Sequence, residues 1–138
     1  MVFKTIGNKS NPVILFFHAM GVIGESSMPV AEKMKEKYYC IMPTSTVYCP
    51  GQRYHSKRDE IQQIVRFLEN HGIKKIELVG SKEEHFKYRN AVMQTYIHGN
   101  FPVFEGFNHM QYQIQNPEGF ARMLKKIIET DRLPELVF

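Results

Sequence analysis

The segment from Val13 to Phe17 is an uninterrupted run of five apolar residues, most of them common in β-strands. Turn-forming residues precede it and a loop-like stretch follows it at His18, so the run has the length of a strand rather than that of a helix. A strand without polar alternation is typical of burial on both faces. The run therefore predicts a mostly parallel sheet with helices on both sides.

Strand-like and helical patterns alternate along the chain. A helix is predicted after Ser27, which can act as the N-cap with Pro29 in the first turn, and another after Ser56, where Ile61, Ile64, Val65 and Leu68 form an apolar stripe. Further strands are predicted at residues 38–42, 73–79 and 101–104, and further helices at residues 83–96 and from Asn116 onward.

The order of these elements predicts the architecture. Val2 to Ile6 is expected to form a hairpin that leads into the strand at Val13, and the subsequent βαβ units are expected to cross over with right-handed connections. The fold class is therefore α/β: a three-layer sandwich with a mostly parallel sheet, Rossmann-like or flavodoxin-like in outline. A length of 138 residues predicts a single domain over residues 1–138.

Composition and charge exclude several classes of protein. Lysines and arginines exceed acidic residues by only four and are interleaved with them, which indicates a solvated surface, so no nucleic-acid binding is predicted. The longest apolar run is far below the ~20 residues that span a bilayer, so no membrane partner is predicted. Two cysteines, Cys40 and Cys49, are too few for a disulfide framework or a paired zinc site, and with no signal-peptide pattern at the start the predicted location is cytoplasmic.

No cofactor or metal is predicted either. The glycine patterns that hold nucleotide phosphates, G-x-G-x-x-G and G-x-x-x-x-G-K-[ST], are absent. His85 stands beside Glu83 and Glu84, but neighbouring residues of a helix point in different directions and do not converge on one ion.

In open α/β sheets ligands bind beyond the carboxyl ends of the strands. The loops predicted to form a binding site therefore begin at His18, Pro43, Gly80 and Glu105. Three segments in this order resemble the α/β hydrolase family: Asn11 to Gly21, Gly80 to Glu83, and Gly106 to His109 with the Pro-Glu-x-Phe pattern after Asn116. The resemblance implies that His18, Ala19 and Met20 form the oxyanion loop. It also implies that Glu83 is the triad acid and His109 the catalytic base.

The nucleophile of that family is missing. Its G-x-S-x-G elbow directly follows the strand that Ile76 to Val79 resembles. Here Gly80 is followed by Ser81-Lys82-Glu83-Glu84, which is not this pattern. If Gly80 is aligned with the first glycine of the elbow, Lys82 stands at the nucleophile position and Glu84 at the last glycine. The elbow, the central strands and the lid are therefore predicted to be absent, through a natural or an engineered deletion. Ser81 is the only serine at this junction, and it stands one residue early for an elbow.

Each candidate residue also has an ordinary interpretation. His109 is either an inherited base or a loop histidine bonded to backbone and solvent. Glu83 is either its acid partner or a first-turn acid that the helix dipole favours. His18 is either a ligand or a residue that ends a strand.

These patterns leave three hypotheses about function. In the first, the chain is a truncated α/β-hydrolase-like protein without efficient catalysis, and it forms a homodimer through apolar surface that the missing elements would have covered. In the second, it is a small esterase that acts on an acyl substrate through His109 with Ser81 or an activated water. In the third, it is a flavodoxin-like module that binds a small ligand.

Overall fold

The described part of the chain, residues 1–79 and 111–130, forms a four-stranded sheet flanked by helices in this computed structural model. The strands are β1 (Val2–Ile6), β2 (Val13–Phe16), β3 (Tyr39–Thr44) and β4 (Glu77–Val79). The helices are α1 (Met28–Met34), α2 (Lys57–Asn70), α3 (Gln111–Gln115) and α4 (Pro117–Thr130). Short 3-10 helices occupy Gly24–Ser27 and Thr46–Tyr48.

The strands lie in the order β1-β3-β2-β4. β2 pairs in parallel with β3 on one side and with β4 on the other, whereas β1 pairs antiparallel with β3. The predicted hairpin between β1 and β2 is therefore wrong, because β3 lies between them. A cluster of turn residues marks a chain reversal but does not determine which strands pair, and here β2 takes both neighbours through longer crossover connections.

Both faces of β2 are buried, as its apolar run predicts. Ile14 and Phe16 face one core cluster, formed with α1 and α4, while Val13 and Leu15 face a second cluster, formed with α2. The alternation of side chains along a strand sends neighbouring residues to opposite faces, so a run without polar residues fits only a strand covered on both sides. The described elements thus form three layers, with the sheet between α1 and α4 on one face and α2 on the other.

Of the two predicted serine N-caps, that of α2 is confirmed and that of α1 is not. The Ser56 hydroxyl accepts a hydrogen bond of 3.1 Å from the Asp59 N–H, as expected for an N-cap. Ser27 makes no such bond, because the preceding 3-10 helix already holds it in the right-handed helical region (φ −87°, ψ −2°) and not in the extended conformation of a cap.

Several element boundaries differ from those predicted. β3 continues to Thr44, two residues beyond the predicted strand, whereas β4 begins only at Glu77 and not at residue 73. α3 occupies the end of the predicted loop up to Gln115. The predictions for residues 83–96 and 101–104 lie outside the described residues. Among the helices of residues 1–79 and 111–130, none has the length and apolar character needed to cross a membrane.

Candidate functional site

The loops that follow β2 and β3 are joined to each other at the carboxyl edge of the sheet. The Gly21 N–H donates to the Tyr48 hydroxyl at 2.7 Å, and the Gly24 N–H donates to Thr44 Oγ1 at 3.0 Å. Parallel strands bring their carboxyl ends to the same edge, which is why two segments more than 20 residues apart in sequence meet here. This edge is the candidate site that the described residues provide.

His18 connects the two loops through its ring. Its Nε2 lies 3.0 Å from the backbone nitrogen of Ser45, and its Nδ1 lies 2.9 Å from the carbonyl oxygen of Ala19. A backbone N–H can only donate, so Nε2 accepts and Nδ1 carries the proton that it donates to Ala19. Tyr48 packs edge-on against the ring with centroids 5.5 Å apart. His18 thus has both nitrogens engaged by the backbone, consistent with a residue that ends a strand.

The other two residues of the predicted oxyanion loop differ in exposure. Ala19 is buried, and its carbonyl oxygen also accepts from the Val22 N–H at 3.4 Å, so the chain turns tightly here. The Met20 side chain is 77% exposed. The role of the Ala19 and Met20 backbone in holding an oxyanion stays a prediction.

Glu60 is the central polar residue of this edge, and sequence reasoning missed it. Its side chain is fully buried, and Oε1 accepts three hydrogen bonds: from Ser45 Oγ at 2.5 Å, from the Thr46 N–H at 2.7 Å and from Thr46 Oγ1 at 2.9 Å. Lys57 Nζ lies 3.8 Å from the other carboxylate oxygen. The first turn of α2 therefore holds the loop after β3 in place through a single carboxylate.

The environment of Glu60 keeps the carboxylate ionised. Burial alone would raise its pKa, but the hydrogen bonds from Ser45 and Thr46, together with the charge of Lys57, outweigh burial and hold the pKa below its ordinary value. A carboxyl whose pKa is lowered by folding stabilises the folded state above its unfolded pKa, and that contribution is lost as the pH falls below it toward the folded value. Glu60 is therefore expected to favour folding at neutral pH.

The spacing of Glu60 from the apolar residues of α2 indicates that its side chain is buried. Ile64 and Leu68 are buried on α2, and Glu60 precedes them at intervals of four residues, so all three lie along one face of the helix. An acidic residue in the first helical turn is commonly explained by its favourable interaction with the helix dipole. That explanation does not indicate that Glu60 also lies on the apolar face of α2. Its partners, Ser45 and Thr46, stand in a segment whose sequence indicates only a long loop.

The two cysteines are free thiols in the core. Cys49 Sγ donates to the carbonyl oxygen of Ser45 at 3.3 Å and so supports the same loop. Burial raises the pKa of the Cys40 thiol to about 12, which makes it inert as a nucleophile. Within residues 1–79 and 111–130, no three His, Cys, Asp or Glu side chains come together in a group that could hold a metal ion.

Ser81, Glu83 and His109, the predicted catalytic residues, lie outside the described residues. At the described edge, His18 meets Ser45 through the backbone N–H, and the Ser45 hydroxyl donates to Glu60. A nucleophile and its base require a hydrogen bond from the hydroxyl to the imidazole. The described serine and histidine of this edge therefore form a scaffold and not a catalytic pair.

Comparisons with known proteins find solved structures that are similar to this chain. No protein-family model matches the sequence, and no curated protein matches it. Similar solved structures include a protein from Desulfitobacterium hafniense described as a member of the alpha/beta hydrolase family, with a TM-score of 0.57 and 15% identity over 97% of this chain and 56% of that one. An esterase from a marine microorganism has a TM-score of 0.58 and 10% identity over 91% of this chain and 51% of that one.

An epoxide hydrolase from metagenomes of hot environments, of the alpha/beta hydrolases superfamily, is also similar, with a TM-score of 0.56 and 16% identity over 70% of this chain and 35% of that one. At these identities the likeness concerns the fold alone, which is similar to that of the α/β hydrolases. The chain spans 35% to 56% of the length of these three structures.

Proposed function

We propose that this chain is a shortened α/β-hydrolase-like protein without efficient hydrolase turnover. The fold it shares with hydrolases supports the first part of this proposal, and the sequence after β4 supports the second. Activity in such a fold depends on a nucleophile, a base and an acid acting as a unit, and loss of the nucleophile alone removes nearly all of the rate enhancement.

The observation that carries the proposal is the sequence directly after β4. β4 pairs in parallel with β2, so its carboxyl end emerges at the edge of the sheet that carries His18. In the family that the chain resembles, this strand leads into the G-x-S-x-G elbow. In this sequence it leads into Gly80-Ser81-Lys82-Glu83-Glu84, and no serine stands at the elbow position.

Hydrolysis of p-nitrophenyl acetate and butyrate tests the proposal. We expect turnover below about 0.01 per second, about a thousandfold under the value of about 10 per second that is typical of enzymes. The variants His109→Ala and Ser81→Ala should leave this residual rate unchanged. A cooperative thermal unfolding transition of each preparation ensures that a low rate is not due to unfolded protein.

The alternative function, a small esterase acting through His109 with Ser81 or an activated water, is kept because an esterase is among the structures of similar fold. It predicts turnover of a short acyl ester that disappears in His109→Ala. That outcome would overturn the proposal. A rate that is substantial but indifferent to His109→Ala would contradict the esterase mechanism.

We further propose that the chain forms a homodimer. Met20 and Val47 at the candidate site are 77% and 59% exposed, and exposed apolar side chains of neighbouring loops are commonly buried by association. Sedimentation velocity is expected to show a dimer at a protein concentration of tens of micromolar. A monomer throughout that range would contradict this proposal without affecting the one on catalysis.

A cytoplasmic location is proposed on the basis of the cysteines. Cys40 and Cys49 are free thiols in the core, and proteins of oxidising compartments more often carry their cysteines as disulfides. Fractionation of the cells that produce the protein would test this location.

A further inference from the structure

The hydrogen bonds of His18 require its neutral form. Nε2 accepts from the Ser45 N–H at 3.0 Å, and Nδ1 donates to the Ala19 carbonyl at 2.9 Å. The ring is therefore an acceptor toward the loop after β3 and a donor toward the loop after β2, in which it lies. Only the tautomer with the proton on Nδ1 can make both bonds. The link between the loop after β2 and the loop after β3 thus depends on an unprotonated nitrogen.

Protonation of Nε2 would place two donors against each other. The imidazolium carries an N–H at both nitrogens, so the ring can no longer accept the Ser45 N–H. The amide would have to turn away from the ring or lose its partner, and an unpaired N–H that is partly buried is unfavourable. The Ala19 bond would remain, since Nδ1 keeps its proton, so the change falls on the contact between the loops.

The titratable groups around this contact come from each described element packed against it. Tyr48 lies edge-on to the ring, Cys49 Sγ donates to the Ser45 carbonyl, and on α2 Glu60 accepts from the Ser45 hydroxyl with Lys57 beside it. Histidine is the side-chain type that ordinarily changes charge between pH 5 and 8.

We propose that His18 is a proton-sensitive latch between residues 18–23 and residues 45–49, closed when the imidazole is neutral and released from Ser45 when it is protonated. Acidification then loosens the loop after β3 at its first residue, while the bonds of Gly21 to Tyr48 and of Glu60 to Thr46 keep the sheet edge assembled. This device does not depend on whether the chain hydrolyses esters.

Nuclear magnetic resonance of the 15N-labelled full chain tests the latch. At pH 8 the imidazole nitrogen shifts of His18 should identify the tautomer protonated at Nδ1. Between pH 8 and pH 5.5 the protection of the Ser45 amide against hydrogen exchange, corrected for the intrinsic rate, should fall about tenfold, the effect of one neutral hydrogen bond.

Two variants separate the latch from a general effect of acid. In His18→Gln the amide oxygen can accept from Ser45 at every pH, so protection of that amide should stay constant. His55→Gln removes an exposed histidine and should keep the tenfold fall. A His18 ring protonated at Nε2 at pH 8, unchanged Ser45 protection in the wild type, or the same fall in His18→Gln would each overturn the proposal. The wild-type tautomer and protection decide it if a variant does not fold.

Discussion

Replacement of Glu60 by alanine is expected to lower the free energy of unfolding by about 4 kcal/mol, the range for removing one partner of a buried charged network. The substitution leaves the Ser45 hydroxyl, the Thr46 N–H and the Thr46 hydroxyl without their acceptor in a buried position. It also opens a cavity beside Ile64 on the same face of α2. Urea denaturation at pH 7, followed by circular dichroism, measures the difference.

Three controls make the Glu60 result specific. Glu69→Ala changes an exposed glutamate of the same helix and should alter stability by less than about 0.5 kcal/mol. Glu60→Gln keeps an acceptor oxygen and should have an intermediate effect at pH 7. Because the pKa of Glu60 is lowered by folding, the advantage of the wild type over Glu60→Gln should shrink as the pH falls below the ordinary carboxyl value of about 4.3. An alanine variant within about 1 kcal/mol of the wild type at pH 7 would contradict the assigned role.

Replacement of Gly7 by alanine is expected to lower the free energy of unfolding by about 3 kcal/mol, the largest loss after that of Glu60→Ala among the substitutions considered. Gly7 follows β1 with φ of 98°, a conformation that residues with a side chain rarely adopt. A Cβ at this position would also clash with the carbonyl oxygen of Tyr38 and lie 3.0 Å from that of Lys35. Both obstacles are backbone atoms of the turn after α1, so neither can move aside as the end of a flexible side chain would.

Gly51→Ala is the matched control, because it separates conformational strain from the clash. Gly51 has a similar positive φ of 75°, but a Cβ there would meet no atom within 4 Å. The control should therefore lose only about 1 kcal/mol, the strain of the left-handed region. Thermal unfolding of both variants under the same conditions checks the difference. Equal losses would mean that the close approach of Gly7 to Tyr38 does not matter.

The elements that could be predicted from the sequence are those whose signal is local. The apolar run of β2 and the stripe of Ile64 and Leu68 on α2 each reflect burial at the spacing of a strand or a helix, and both are found where they are expected. The Ser56 cap is local as well, since its hydrogen bond spans three residues. The order of three weak motifs is enough to indicate the α/β-hydrolase-like fold that the structural comparisons support.

Interactions between distant residues were not predictable in the same way. Nothing local to β1 indicates that β3, and not β2, is its partner, because pairing depends on which strand the crossovers bring alongside. Ser27 is an exception among the local signals, because the 3-10 helix directly before α1 changes its backbone conformation. The predicted relation between Glu83 and His109 lies outside the described residues and stays a prediction.

The sequence alone therefore determines that the chain forms an α/β fold with β2 buried on both faces, and that no G-x-S-x-G pattern follows β4. These are properties of single segments, set by hydrophobic spacing and residue type. The hydrogen bonds among the polar residues at the carboxyl ends of β2 and β3 depend on the tertiary structure. His18, Ser45 and Glu60 acquire their roles because parallel strands and the start of α2 bring them within hydrogen-bonding distance, where burial leaves each polar group dependent on the others.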